Sequence, residues 1–120
     1  MRTKKLNEAV EKAKIRNLTQ QQMKMLSGTA LPSGKPGKEA ICDDIELTIV
    51  SDYTDNTIIH VMIQDYDDRY KFMYAKEFSN ESDALKLFDS IAQELTDIAS
   101  VDKIAKKYGF DIHFSKINMR

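Results

Sequence analysis

Three runs of alternating apolar residues, joined by links of only a few residues, constrain this chain more than any other feature. Ile45, Leu47 and Ile49 alternate with Glu46, Thr48 and Val50. Ile59, Val61 and Ile63 alternate with Ile58, His60, Met62 and Gln64, and Tyr70, Phe72 and Tyr74 with Lys71, Met73 and Ala75. A period of two marks a strand that buries one side. The links, Asp52 to Asn56 and Asp65 to Asp68, are turn-like and too short for a crossover, so the strands are expected to form an antiparallel meander.

From Asn80 to Ala99 the period changes. Ala84, Leu85, Phe88, Ile91, Ala92, Leu95, Ile98 and Ala99 recur at spacings of three and four, which predicts a long amphipathic helix. Ser79, Asn80 or Ser82 supplies a cap, and Glu81 and Asp83 suit the positive end of the helix dipole. Such a helix matches a strand in length and can lie across the meander. Ser100 is placed to cap a further helical segment through Tyr108, with Gly109 as its stop. Phe110, Ile112 and Phe114 then alternate as a last strand would.

Ahead of the meander, Leu6, Val10 and Ala13 predict a helix over Thr3 to Arg16. Thr19 followed by Gln22 has the form of a capping box, which opens a second short helix to about Leu26. Both prolines, Pro32 and Pro36, and three of the four glycines fall between Gly28 and Lys38. The expectation is therefore one domain over residues 1–120, with an N-terminal helical segment (1–27), a flexible Gly/Pro loop (28–38) and an α+β core (41–120). In that core a small antiparallel sheet of three to four strands carries one long helix on a face, in the order α-α-β-β-β-α-β. Val50, Ile58, Met62 and Met73 lie on the second face. Either the N-terminal helix covers them or a partner does, a second copy of the chain being one such partner.

Charge is laid out unevenly. Residues 43–100 hold 14 acids and 4 bases, residues 1–42 hold 9 bases and 3 acids, and residues 101–120 hold 5 bases and 2 acids. Sign asymmetry of this kind bears on partners and solubility rather than on reaction chemistry. The hydrophobic fraction of 42% suits a chain with a real core. No apolar run reaches the length of a bilayer span, and no greasy segment follows the basic start, so neither a membrane anchor nor a secretory leader is expected. A single cysteine, Cys42, forms no internal disulfide, and a reducing, cytoplasmic setting is the simplest expectation.

The residues that catalysis requires are sparse. His60 and His113 are the only side chains suited to proton transfer at neutral pH, and neither has a Ser or Cys partner at readable spacing. Cys42 precedes two aspartates, the wrong field for a reactive thiolate. Asp65, Asp67 and Asp68 lack the glycine and distant glutamate of a calcium loop. Gly34 and Lys35 lack the first glycine, the hydroxyl residue and the strand–helix setting of a phosphate loop. No cofactor, metal or catalytic residue is assigned. The run Asn17 to Met23 resembles the start of the second helix of phage-repressor-type helix-turn-helix domains, which implies a recognition helix a few residues on, where this chain has its Gly/Pro stretch. The run Ser100 to Phe110, with Phe114 to Lys116 after it, is similar to the second helix-turn-helix of AraC-type regulators. Those domains are all helical and bind DNA.

Two functions remain. The first is a non-enzymatic protein-interaction module of inhibitor, immunity or adaptor type. It would meet a basic protein through Asp52, Tyr53, Asp55, Asp65, Tyr66, Asp67 and Asp68, because tyrosine beside carboxylates makes good interface material and acidic surfaces steer basic partners. The alternative is a nucleic-acid-binding accessory or regulator that works through its basic N- and C-terminal segments, with Arg2, Lys4, Lys5, Lys12, Lys14 and Arg16 as contacts.

Overall fold

A computed structural model describes residues 12–66, 72–97 and 99–114. The elements in chain order are β1 (Lys14–Asn17), α1 (Gln20–Met25), β2 (Gly28–Thr29), β3 (Lys38–Cys42), β4 (Ile45–Asp52), β5 (Ile59–Asp65), β6 (Phe72–Phe78), α2 (Glu81–Glu94), α3 (Val101–Tyr108) and β7 (Asp111–Phe114). The fold is α+β, and its sheet is antiparallel throughout. The strands run β1-β3-β4-β5-β6-β7, with the two-residue β2 beside the far end of β4. A path of six strands replaces the three to four expected, and the element order differs accordingly.

The differences have local causes. Residues 14–17 form an edge strand, not the end of a helix; with one apolar residue, Ile15, this strand shows no alternation to read. The first turns of the predicted N-terminal helix lie outside the described residues. β3 hides behind Pro36 and Gly37, and a Cβ on Gly37 would stand 2.4 Å from Ile49 O, so only glycine lets the chain enter the sheet there. The Gly/Pro stretch is tied down: Leu31 is buried in the core, Leu31 N donates to Lys35 O, and Glu81 accepts from Ser33 N and Oγ.

The long helix stops at Glu94 instead of Ala99. Leu95 turns extended (ψ 122°), Leu95 O accepts from Ala13 N, and Thr96 bridges Lys12. Pairing with the N-terminal chain therefore draws residues 95 and 96 out of the helix. Ser100 then caps α3, and Gly109, left-handed at φ 73°, ends it.

Register sorts the side chains into two faces, because residues opposite one another in a ladder share a face. The inner face carries Leu47, Ile49, Ile59, Val61, Ile63 and Tyr74. It packs on Ala84, Phe88, Ile91 and Ala92 of α2 and on Val101, Ile104 and Ala105 of α3. The outer face is defined by three rows. These are Lys14–Ile41–Glu46–Gln64–Met73, Arg16–Glu39–Thr48–Met62–Ala75–Asp111 and Val50–His60–Glu77. Its apolar part is covered from within: Leu18 and Met23 bury Val50, with Leu26 and Met62 against them. The capping box of Thr19 and Gln22 is formed and sets α1 at that position. Ile58 and Met73 are half-buried. No described helix is long and apolar enough to cross a membrane.

Candidate interaction surface

The β4–β5 link is a fixed tip. Asp52, last in β4, accepts from the Thr54 amide (3.0 Å), the Thr54 hydroxyl (2.7 Å) and the Asp55 amide (3.0 Å) on Oδ2, while Oδ1 lies 3.1 Å from His60 Nε2. The Thr54 hydroxyl first, then His60, pull the Asp52 carboxyl down to about 2. Asp55 Oδ1 accepts from the Thr57 amide and hydroxyl. Asn56 Nδ2 donates to Ala30 O at 2.7 Å, and Tyr53 N donates to Ser27 O, where Ser27 is itself left-handed at φ 56°. Two aspartates thus shape the turn that carries them. Tyr53, 67% exposed, stands out from this tip, and its backbone is joined to the loop after α1, whose Met25 is also exposed.

Asp65 and Tyr66 belong to the other link. Tyr66 N donates to Asp44 O, and the Tyr66 hydroxyl donates to Glu46 Oε1 at 3.0 Å and accepts from Gln64 Nε2. Burial first, then the Glu46 charge, push this phenol up to about 12. Asp67 and Asp68 lie outside the described residues. Successive links of a meander fall at opposite ends of the sheet, and β5 sets these two apart by about 20 Å at ~3.3 Å per residue. The single acidic patch expected from sequence is therefore divided: Asp52, Tyr53 and Asp55 at one end, Asp65 and Tyr66 at the other.

The strands between them supply what sequence reasoning missed. Glu46, Asp52, Glu77 and Asp111 share the outer face with His60 and Gln64, and Tyr66 reaches onto it through Glu46. Their signal was present as the polar phase of the alternating runs. Glu39, 2% exposed, is held on this face by Arg16, whose Nε lies 2.6 Å from Oε2.

The basic residues are spread and partly engaged. Lys14 and Arg16 lie on β1, and Lys12 at the bridge to Thr96. Arg2, Lys4 and Lys5 lie outside the described residues. On α3, Lys106 pairs with Asp102 at 3.4 Å and Lys107 with Glu94 at 3.0 Å. Hydroxyls complete these pairs: Tyr74 donates to Asp102 and Tyr108 to Glu94, and both carboxyls are held below their ordinary range, mainly by those hydroxyls. Neither helix-turn-helix resemblance survives, since α1 runs into β2 and α3 into β7.

The two histidines are not neighbours in the sheet. His60 sits opposite Glu77 in β6, whereas His113 sits opposite Met73, four residues along β6 and one strand farther out. Cys42 is buried, and among the described residues no group of three His, Cys, Asp or Glu side chains is placed to hold a metal. Comparison with protein-family models, with curated proteins and with solved structures finds no match.

Proposed function

We propose that this chain is a small non-enzymatic protein-interaction module, of inhibitor, immunity or adaptor type, that acts in the cytoplasm on a partner with a basic surface. The observation that carries it is Tyr53. A large, two-thirds exposed aromatic side chain stands on a turn whose backbone is fixed by Asp52, Asp55, Asn56 and Ser27. An aromatic anchor on a pre-ordered backbone loses little conformational freedom on binding. Glu46, Asp52, Glu77 and Asp111 extend the negative field from that tip across the outer face, as suits the capture of a cationic protein. Asp65 and Tyr66 border the same face at its far end.

Affinity capture from a native extract, run at low and high salt, tests this function. Tyr53→Ala removes the anchor without touching the turn's hydrogen bonds, and Asp65→Lys reverses charge away from it. A protein partner retained by wild type and lost from Tyr53→Ala supports the proposal. Capture indifferent to both substitutions, or recovery of nucleic acid instead of protein, sinks it.

A further inference from the structure

The described sheet ends at β1, and no described strand pairs with the outer side of Lys14–Asn17. Lys14–Asn17 pairs with β3 alone among the described residues, and all four residues are exposed, Ile15 by 53%. The phase of the ladder decides which backbone groups face outward. Leu18 N donates to Gly37 O at 2.8 Å, which makes Leu18 and Gly37 a hydrogen-bonded pair. Two steps back along the same ladder, Arg16 with Glu39 and then Lys14 with Ile41 are hydrogen-bonded pairs as well. The N–H and C=O groups of Ile15 and Asn17 therefore point away from β3. Ala13, in the same phase, shows what this side accepts: its N–H donates to Leu95 O at 3.1 Å, and Lys12 bridges Thr96 as antiparallel strands do. The outer side of the edge is paired at its start and exposed from Ile15 onward.

We propose that this edge takes up an extended acidic segment of a partner protein as a further strand. Main-chain hydrogen bonds to Ile15 and Asn17 would hold it, and side chains would select it. Lys14 and Arg16 share the outer face at alternate positions, so a strand with carboxylates at alternate positions sets one beside Lys14, one beside the exposed part of the Arg16 guanidinium, whose Nε is already held by Glu39, and an apolar residue beside Ile15. A second copy is the poorer occupant. Pairing Ile15 with Ile15 sets Lys14 against the other copy's Arg16, and pairing Ile15 with Asn17 sets Arg16 against Arg16. Like charges directly opposite are destabilising. β1 has no proline to guard it, and the cations that repel a like edge favour an acidic one. Lys14 and Arg16 are the basic margin of the outer face, at the edge strand, and this edge takes a partner of opposite charge to the one drawn by the acidic residues farther across the sheet.

The test uses the full chain and a blocked octapeptide of alternating Glu and Val, with its Lys and Val counterpart as control. The acidic peptide is expected to shift the amide resonances of Ile15 and Asn17 and slow their exchange, and the basic peptide to do neither. Asn17→Pro removes an outward N–H that β3 does not use, at a position where an edge strand tolerates proline. It is expected to weaken binding by about two- to tenfold. Lys14→Glu, which leaves the backbone intact, is expected to weaken the acidic peptide and admit the basic one. Binding that survives both substitutions overturns the proposal. So does a folded wild-type chain that ignores the acidic peptide, in which case Lys14 and Arg16 only guard the edge.

Discussion

His60 Nε2 lies 3.1 Å from Asp52 Oδ1, and this contact closes the link that presents Tyr53. An ionised carboxylate can only accept, so Nε2 carries the proton. The other oxygen of Asp52 holds Thr54 and Asp55. One side chain therefore ties the end of β4 both to β5 and to the turn between them. Glu77, across β5, brings its Oε1 to 3.9 Å from Nδ1, beyond hydrogen-bond reach but close enough to add to the negative field on the ring.

Asp52 predicts part of the acid limb of stability. Its carboxyl titrates at about 2 in the folded chain against an ordinary 3.8, because the Thr54 hydroxyl, His60 and the Asp55 amide favour the charged form. A lowered folded value stabilises above the unfolded value and is lost as pH falls from 3.8 toward 2. Urea unfolding of wild type and Asp52→Asn across that window should show a shallower pH dependence in the variant. Parallel curves would exclude Asp52 as a contributor.

Leu95→Ala tests the junction where α2 gives way to the bridge with the N-terminal chain. Leu95 is fully buried in the main core, and its carbonyl accepts from Ala13. Truncation leaves a cavity and should destabilise by about 2–5 kcal/mol. Chemical denaturation measures it, and a loss below about 1 kcal/mol would mean that the side chain is not packed as described.

The meander and its helix were legible because they rest on periodicity. Ile59 to Ile63 buries one phase, Ile45, Leu47 and Ile49 are all buried in the alternating phase that the sequence shows, and Ala84, Phe88 and Ile91 repeat by turns of a helix. The capping residues Thr19 and Ser100 were legible because caps act over three residues, whereas Asn80 was one of three candidates with Ser79 and Ser82. β1 and β3 were not, since their pairing joins residues more than twenty apart, and neither Lys14 to Asn17 nor Lys38 to Cys42 alternates strongly. The division of the acidic residues follows from meander geometry and could have been read from the strand order. The outer-face row through Arg16, Glu39, Thr48 and Asp111 needs the register itself.

Tyr66 predicts an alkaline limb. Its phenol is held at about 12 by burial and by the Glu46 carboxylate, so the folded chain keeps it neutral where the unfolded chain ionises it near 10.0. A raised folded value stabilises below the unfolded value and is lost as pH rises from there through about 12. Spectrophotometric titration should lose a late-ionising step in Tyr66→Phe, and Glu46→Gln should bring that step earlier. An unchanged titration in Glu46→Gln would rule out the Glu46 charge as a cause. Tyr66→Phe also leaves Gln64 and Glu46 without the hydroxyl between them, at a cost of about 1–2 kcal/mol at neutral pH.

Arg16 and Glu39 predict non-additivity. Glu39 is almost wholly removed from water, whereas Arg16 is two-thirds exposed and reaches its carboxylate at 2.6 Å. Arg16→Ala leaves a buried charge without this partner and should destabilise by about 1–3 kcal/mol. Glu39→Gln alone keeps hydrogen-bonding capacity and removes the charge, while the exposed guanidinium returns to solvent at little cost. The double variant should therefore be less destabilised than the two losses added together, with a coupling of at least about 0.5 kcal/mol. A double-mutant cycle by urea unfolding measures the coupling. Simple additivity would show that Glu39 is buried by packing alone and that the guanidinium contributes nothing to holding it on the outer face.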